Sequence, residues 1–302
     1  MEQAFKLKEP KTFNEQLQIL KSRNMIVDNE EEAIKILKRT NYYRLTAYAL
    51  QFKYGDNYNN KVSFETMYNL YKFDEKLRHL IMEILEGIEI SLRTYMAYNL
   101  SIKYGAEAYT NQAIFKDIKS YTGYIDSNGR QHKGLKEEIN LEISKNRKEL
   151  FVKHHIKKYD KHFPIWVIVE IFSFGMLSRT YKNLKTNEQK DISKNCFNIN
   201  NLLLESWLDN LSYVRNICAH YGRLYNKNLT IKPKIHNKYK KYNLDSQKIF
   251  VSILSIKELT KDREEWNIFF IKLQEIINDY RNYIDLNLIG FPENWIEILS
   301  QI

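Results

Sequence analysis

Apolar residues recur three and four positions apart through most of the chain, the spacing that lays one face of a helix against a core. Thr12-Phe-Asn-Glu15 reads as a capping box ahead of Leu17 and Leu20 and predicts a first helix near 13–23. Asp28 and the acids Glu30, Glu31 and Glu32 open a second helix around Ala33, Ile36 and Leu37, and Tyr42 to Tyr48 reads as a third, rich in aromatic rings. From Ser63 to Tyr104 there is no Pro and only Gly87. Leu77, Ile81, Ile84, Ile88, Leu92 and Tyr95 mark the longest helix there, with a break expected near Phe73-Asp74. Tyr121 to Gly134 carries three Gly, including Asn128-Gly129, a pair suited to a tight I′ hairpin turn. Helices resume over about 135–160 and 165–173, with Gly175 expected as a C′ residue. Thr186-Asn-Glu-Gln189 offers a second capping box, and Asn200 or Asn201 can cap a helix running to His220. Further helices are expected over about 246–260 and 263–284.

Composition supports the helical pattern. The 302 residues include only 9 Gly and 4 Pro, too few turn formers for most sandwiches, barrels or propellers. The expected class is all-α, organised as one domain over 1–302. Its parts are N-terminal helices in 1–60, a helical core at about 63–226, and C-terminal helices in 232–302 to which no role attaches. Two cysteines, Cys196 and Cys218, make neither a disulfide scaffold nor a four-thiolate zinc site. The opening MEQAFKLKEPK has no apolar signal region, and the best apolar run, Ile165 to Leu177, is interrupted by Glu170 and falls short of the roughly 20 residues a bilayer requires. A cytoplasmic protein without a membrane partner is expected. Net charge of +10 would attract a polyanion, although 35 Lys, 12 Arg and 30 Asn also fit the bias of an AT-rich genome.

Candidate chemistry is sparse, which narrows the choice. Phosphate-cradling glycine motifs and H-E-x-x-H are absent, and the adjacent His154 and His155 would point about 100° apart on a helix, so neither a cofactor nor a metal site is expected. What remains is Ser212-Tyr-Val-Arg215-Asn216-Ile-Cys-Ala-His220-Tyr-Gly-Arg223 near a helix end. An imidazole and a guanidinium suffice to cut RNA, because RNA supplies its own nucleophile in the 2′-hydroxyl: imidazole can move protons and guanidinium can steady the phosphate. Spacing alone is uninformative, since Arg147 and His154 satisfy it too. Helical geometry separates the two pairs. On the 201–220 helix, Leu203, Leu204, Trp207, Leu211, Val214 and Cys218 fill one arc, while Asp209, Ser212, Asn216 and His220 share the opposite face. Arg215 lies on the flank, about 140° from His220, so the pair converges only if the Arg side chain curls round or another subunit supplies a wall. On the long helix Glu86, Glu89 and Arg93 form one polar flank, which surface i,i+4 pairing would also explain.

Arg215-Asn216-Ile-Cys-Ala-His220-Tyr-Gly-Arg223-Leu-Tyr-Asn226 resembles the C-terminal signature of the Abi-type abortive-infection proteins (AbiD/AbiF-like), a branch of the all-helical HEPN superfamily. Three further blocks are similar in the same order: Leu17–Asp28 with Ile36 to Leu45, Asp74 to Arg78 with Ile88 to Arg93, and Pro164 to Ser178. The resemblance implies a HEPN-like bundle and a metal-independent endoribonuclease, a toxin-like effector of anti-phage defence. It implies Arg215 and His220 as catalytic residues with Asn216 as their polar neighbour, and Glu89 and Arg93 beside the cleft. Arg44, Tyr43 and Arg223 are the candidate RNA contacts. One motif per chain implies a homodimer, and a small non-coding RNA is a further candidate partner. Tyr225 departs from the Trp often found there, a change expected to affect packing.

A different class of function fits the same residues: a non-catalytic module in which Tyr42, Tyr43, Arg44 and lysines hold a small structured RNA. A purely structural helical protein would leave Tyr42, Tyr43 and Tyr48 as core and rim aromatics and His220 as a solvated helix-end residue.

Overall fold

In the computed structural model, which describes residues 7–59 and 62–301, helices make up almost all regular structure, and the only sheets are two small antiparallel pairs. Contacts gather into two compact units, one running up to Leu77 with Leu273–Asp285 added, the other Arg78–Lys272 with Leu286–Ile302.

The first unit begins as its caps dictate. In α1 (Phe13–Ser22) the Thr12 hydroxyl accepts the Glu15 N–H at 3.2 Å and the Glu15 carboxylate accepts the Thr12 N–H at 2.7 Å, a complete capping box. α2 (Glu30–Arg39) carries Glu30, Glu31 and Glu32 in its first turn, as the acids suggested, and its cap is Asn29, whose Oδ1 accepts the Glu32 N–H. α3 (Tyr42–Thr46) is capped by Asn41, and β1 (Lys53–Tyr54) pairs with β2 (Asn57–Tyr58). α4 (Phe64–Tyr104) runs without the break expected at Phe73-Asp74. Both residues are fully buried, and the Asp74 carboxylate accepts the Tyr48 O–H at 2.7 Å. A carboxylate that has a partner can continue a buried stripe.

In the second unit, α5 (Ile118–Thr122) leads into the hairpin of β3 (Tyr124–Ile125) and β4 (Gln131–His132). The hairpin stands where the glycines suggested, but Asn128 is not left-handed and no I′ turn forms; the Asp126 carboxylate organises the loop by accepting the Asn128 and Arg130 N–H groups. The stretch 135–160 is two helices, α6 (Leu135–Lys145) and α7 (Leu150–Lys158), separated where Asn146 turns its side chain back onto the Glu142 carbonyl. α8 (Ile165–Ile168) tightens into a 3₁₀ turn, Val169–Ile171. Gly175 is not a C′ residue but the second residue of α9 (Phe174–Asn183), whose cap is Ser173 accepting the Met176 N–H.

α10 (Thr186–Phe197) lacks the expected capping box: Lys185 is the N-cap residue, its N–H committed to the Ile114 carbonyl, and Gln189 is instead buried against Tyr181 and Glu205. α11 (Asn201–Ala219) packs on α9, α10 and α12 (Ile249–Leu259). Its Leu204, Trp207, Leu208, Leu211 and Val214 are at most 2% exposed. The side-chain donors of that buried face are taken up by a strap from the following chain: Trp207 donates to the Lys234 carbonyl and Asn210 to the Ile231 carbonyl, both at 2.7 Å. α13 (Arg263–Asp279) is shorter than its apolar spacing suggested, and α14 (Trp295–Ser300) ends the chain's regular structure. Among the described residues no helix is long and apolar enough to cross a membrane.

Two consequences can be measured. Tyr48→Phe leaves the buried Asp74 carboxylate short of a donor and should cost about 1–3 kcal/mol in urea unfolding. Burial holds the Lys257 amine down at about 8, and it donates to the Ile298 carbonyl at 2.8 Å. The unfolded chain keeps that proton to roughly pH 10.4, so stability should rise between pH 8 and about pH 10.4. Screening of the half-exposed amine holds the gain to the order of 1 kcal/mol, and Lys257→Met should flatten the rise.

Candidate functional site

The end of α11 is built to stop sharply. The Tyr221 N–H returns to the Cys218 carbonyl at 3.0 Å and the Gly222 N–H to the Ile217 carbonyl at 2.7 Å, the paired bonds of a Schellman close. Tyr221 occupies the left-handed position, at φ 56°, where glycine is usual, a conformation that costs a side chain about 1 kcal/mol. Beyond it Leu224 and Tyr225 are each 1% exposed, and Arg78 of α4 donates to the Gly222 carbonyl. These anchors make His220 the C-cap residue, with its N–H on the Asn216 carbonyl and its ring at the surface. Tyr225 fills core, in keeping with a packing role.

Arg215, Asn216 and His220 share one further property. None of the three side chains has a hydrogen bond or ion pair to another described residue; Asn216 and His220 are exposed and Arg215 is partly so. The wheel is borne out in its main lines, with the apolar arc inside and Asn216 and His220 outside, whereas Ser212, expected on the outer face, is buried and donates to the Asp209 carbonyl.

Arg215 opens onto a hollow of about 360 Å³ that also holds Glu86, Glu89, Arg93 and Glu170. Glu89 and Arg93 are not a loose surface pair. Their side chains are 14% and 13% exposed, the Arg93 guanidinium bonds the Glu89 carboxylate, and it also donates to the Val169 carbonyl. The structure therefore brings Arg215, Glu89 and Arg93 together and leaves His220 outside that lining. Three carboxylates against two guanidiniums give the hollow a formal charge of −1, so it does not by itself attract phosphate. Glu170 was visible in the sequence only as a charge interrupting an apolar run; that interruption was the available signal.

The other candidates lie elsewhere. Tyr43 is 84% exposed and Arg44 is exposed, both on α3 of the first unit, while Tyr48 is core and burial pushes the Tyr42 hydroxyl above its usual range. Arg223 is partly buried in the loop after α11. His155 stacks on Tyr159 and Phe163 and bonds the Phe151 carbonyl, with His154 at its edge, so these rings pack α7. Burial pushes the Cys196 thiol up to about 12, which removes it as a nucleophile at neutral pH. Among the described residues no three His, Cys, Asp or Glu side chains converge as a metal site.

Fold and site together define an all-helical protein whose buried helix α11 carries, toward its C-terminal end, an arginine, an asparagine and a histidine without side-chain partners among the described residues. A family model described as Abi-like protein matches residues 35–226, well over half the sequence, and the chain belongs to that family, which associates it with abortive infection. No curated protein and no solved structure matches it.

Glu89→Ala would strand the Arg93 guanidinium in a nearly closed place with one carbonyl for company. It should lower stability by about 2–4 kcal/mol in chemical denaturation, and Glu89→Gln, which keeps an acceptor, should lower it by less.

Proposed function

We propose that the chain is a metal-independent endoribonuclease of the HEPN type, an effector of abortive infection that cuts an RNA substrate as a homodimer. One observation carries the reading: Arg215, Asn216 and His220, three polar residues of the family-like signature, stand at a helix end with no side-chain pairing among the described residues. Side chains held for packing or pairing would show partners. These do not, and their chemical types match cleavage of a ribose phosphate.

In the proposed reaction a neutral His220 imidazole takes the 2′-hydroxyl proton as O2′ bonds to phosphorus. The bond from phosphorus to the 5′-oxygen breaks, and that oxygen leaves with a proton from the imidazolium of the second copy. Arg215 offsets the charge gathering on the phosphate oxygens, and Asn216 positions one of the reacting groups. The products are a 2′,3′-cyclic phosphate and a 5′-hydroxyl; atoms balance without water or a cofactor. Within one copy, Arg215 and His220 diverge by about 140° and are separated by about 7.5 Å along the helix. A two-fold pairing of the helix ends supplies the missing convergence.

Labelled RNA incubated with the protein in EDTA tests this. Cleavage to a cyclic phosphate is expected, and His220→Ala should slow it about 10²–10⁴-fold while changing stability by less than about 0.5 kcal/mol. Activity per chain should fall on dilution as the dimer dissociates. A His220→Ala protein that unfolds, or that cuts as well as the wild type, overturns the proposal. Salt-sensitive binding with no cleavage at all would favour a module that holds a small structured RNA through surfaces such as exposed Tyr43 and Arg44.

A further inference from the structure

The chain's positive charge has a second place to act. Between α5, the hairpin, α6 and α9 lies a hollow of about 520 Å³, a size suited to a small molecule and far larger than one phosphate needs. Lys116, Lys119, Lys133, Arg179 and Lys182 line it against only Asp117 and Glu138. The cations differ in how firmly they are held: Lys116 also donates to the Lys182 carbonyl (3.1 Å) and Gln189 (3.0 Å) beside its pair with Glu205, whereas the pairs Arg179 with Glu138 (2.7 Å), Lys133 with Glu137 (3.6 Å) and Lys182 with Asp209 (3.6 Å) are partly open to solvent and exchange readily.

A further feature says what kind of anion fits. Tyr124 and His132, both in the lining, are stacked flat, with ring centroids 4.6 Å apart and 10° between planes. The Asp126 carboxylate fixes the His132 ring at 2.8 Å, and the Tyr124 ring stays 43% exposed. A held aromatic ring of this kind is a platform for a base.

We infer that this hollow is a nucleotide-binding site, in which the lysines and Arg179 take the phosphate and Tyr124 stacks on the base. It shares no lining residue with the hollow beside Arg215, and it does not depend on the proposed cleavage chemistry. The same chemistry could come from a free nucleotide or from a nucleotide within an RNA chain.

Calorimetric titration of the full chain with AMP, hexaadenylate and inorganic phosphate tests the inference. AMP should bind about tenfold more tightly than phosphate, reflecting the stacked base. The exposed pair Lys119→Glu with Lys133→Glu should weaken AMP at least about tenfold, and high salt should do the same. Tyr124→Ala should weaken AMP about tenfold without touching phosphate binding, and Tyr124→Phe should restore it. His220→Ala should bind AMP as the wild type does, so failure of this site and failure of the nuclease reading are told apart. Hexaadenylate held more tightly than AMP and lost with the same substitutions identifies an RNA chain as the source; equal affinity identifies a free nucleotide. The inference falls if neither AMP nor hexaadenylate binds at millimolar concentration, or if binding survives both the charge reversal and Tyr124→Ala.

Discussion

Burial of α11 is the constraint on which the site depends. Five of its side chains are withdrawn almost completely from water, each worth up to about 1.5–3 kcal/mol, and the helix axis is therefore not free to tilt or slide. The same burial would strand the Trp207 and Asn210 donors, and the strap at Ile231–Lys234 removes that penalty. With its body held, the helix can afford a strained end. Tyr221 stays left-handed because Leu224, Tyr225 and Arg78 hold the chain on its far side. The direction of His220 thus follows from packing several residues away.

Polar groups in the second unit divide by whether the fold has already used them. Glu89 and Arg93 are committed to each other and to the Val169 carbonyl, so their first effect is on stability. Arg215, Asn216 and His220 carry no such obligation among the described residues, which leaves their charge and proton capacity available to a ligand. An uncommitted guanidinium at the surface loses less on meeting a phosphate than one that must first break an internal pair.

How much of this was legible in the sequence follows from the range of the forces involved. Apolar periodicity is local, and it located α1, α2, α4 and α11 and the outward face that carries Asn216 and His220. Caps were legible where nothing else competed, as at Thr12. They were misread at Lys185, held by the distant Ile114 carbonyl, and at Gly175, where two local signals compete and the neighbouring Ser173 cap begins α9 instead of Gly175 ending the helix before it. The expected break at Asp74 failed for a similar reason, since Tyr48, 26 residues away, satisfies the carboxylate. The all-α class and the family were readable from pattern and motif. The membership of the two hollows was not, because Glu170 meets Arg215, and Lys116 meets Lys182, only through tertiary packing.

The distribution of charge bears on how an RNA-cutting protein of this design would work. A net charge of +10 does not gather beside Arg215, where carboxylates outnumber guanidiniums; the lining of the hollow at α5, α6 and α9 sets five cations against two carboxylates, three of the five being paired with acids just outside it. Affinity for a polyanion grows with the number of cations that displace counterions, wherever on the surface they stand. Transition-state stabilisation depends instead on a few groups correctly aimed at the atoms that gain charge. Under the proposed chemistry, a site near charge balance would hold the substrate phosphate weakly in its ground state, so that the pull of Arg215 would act where it lowers the barrier, as charge builds on the reacting phosphate. Gripping the ligand and cutting it would then be tasks for different residues, and the locally acidic surroundings of Arg215 would be compatible with the proposed chemistry.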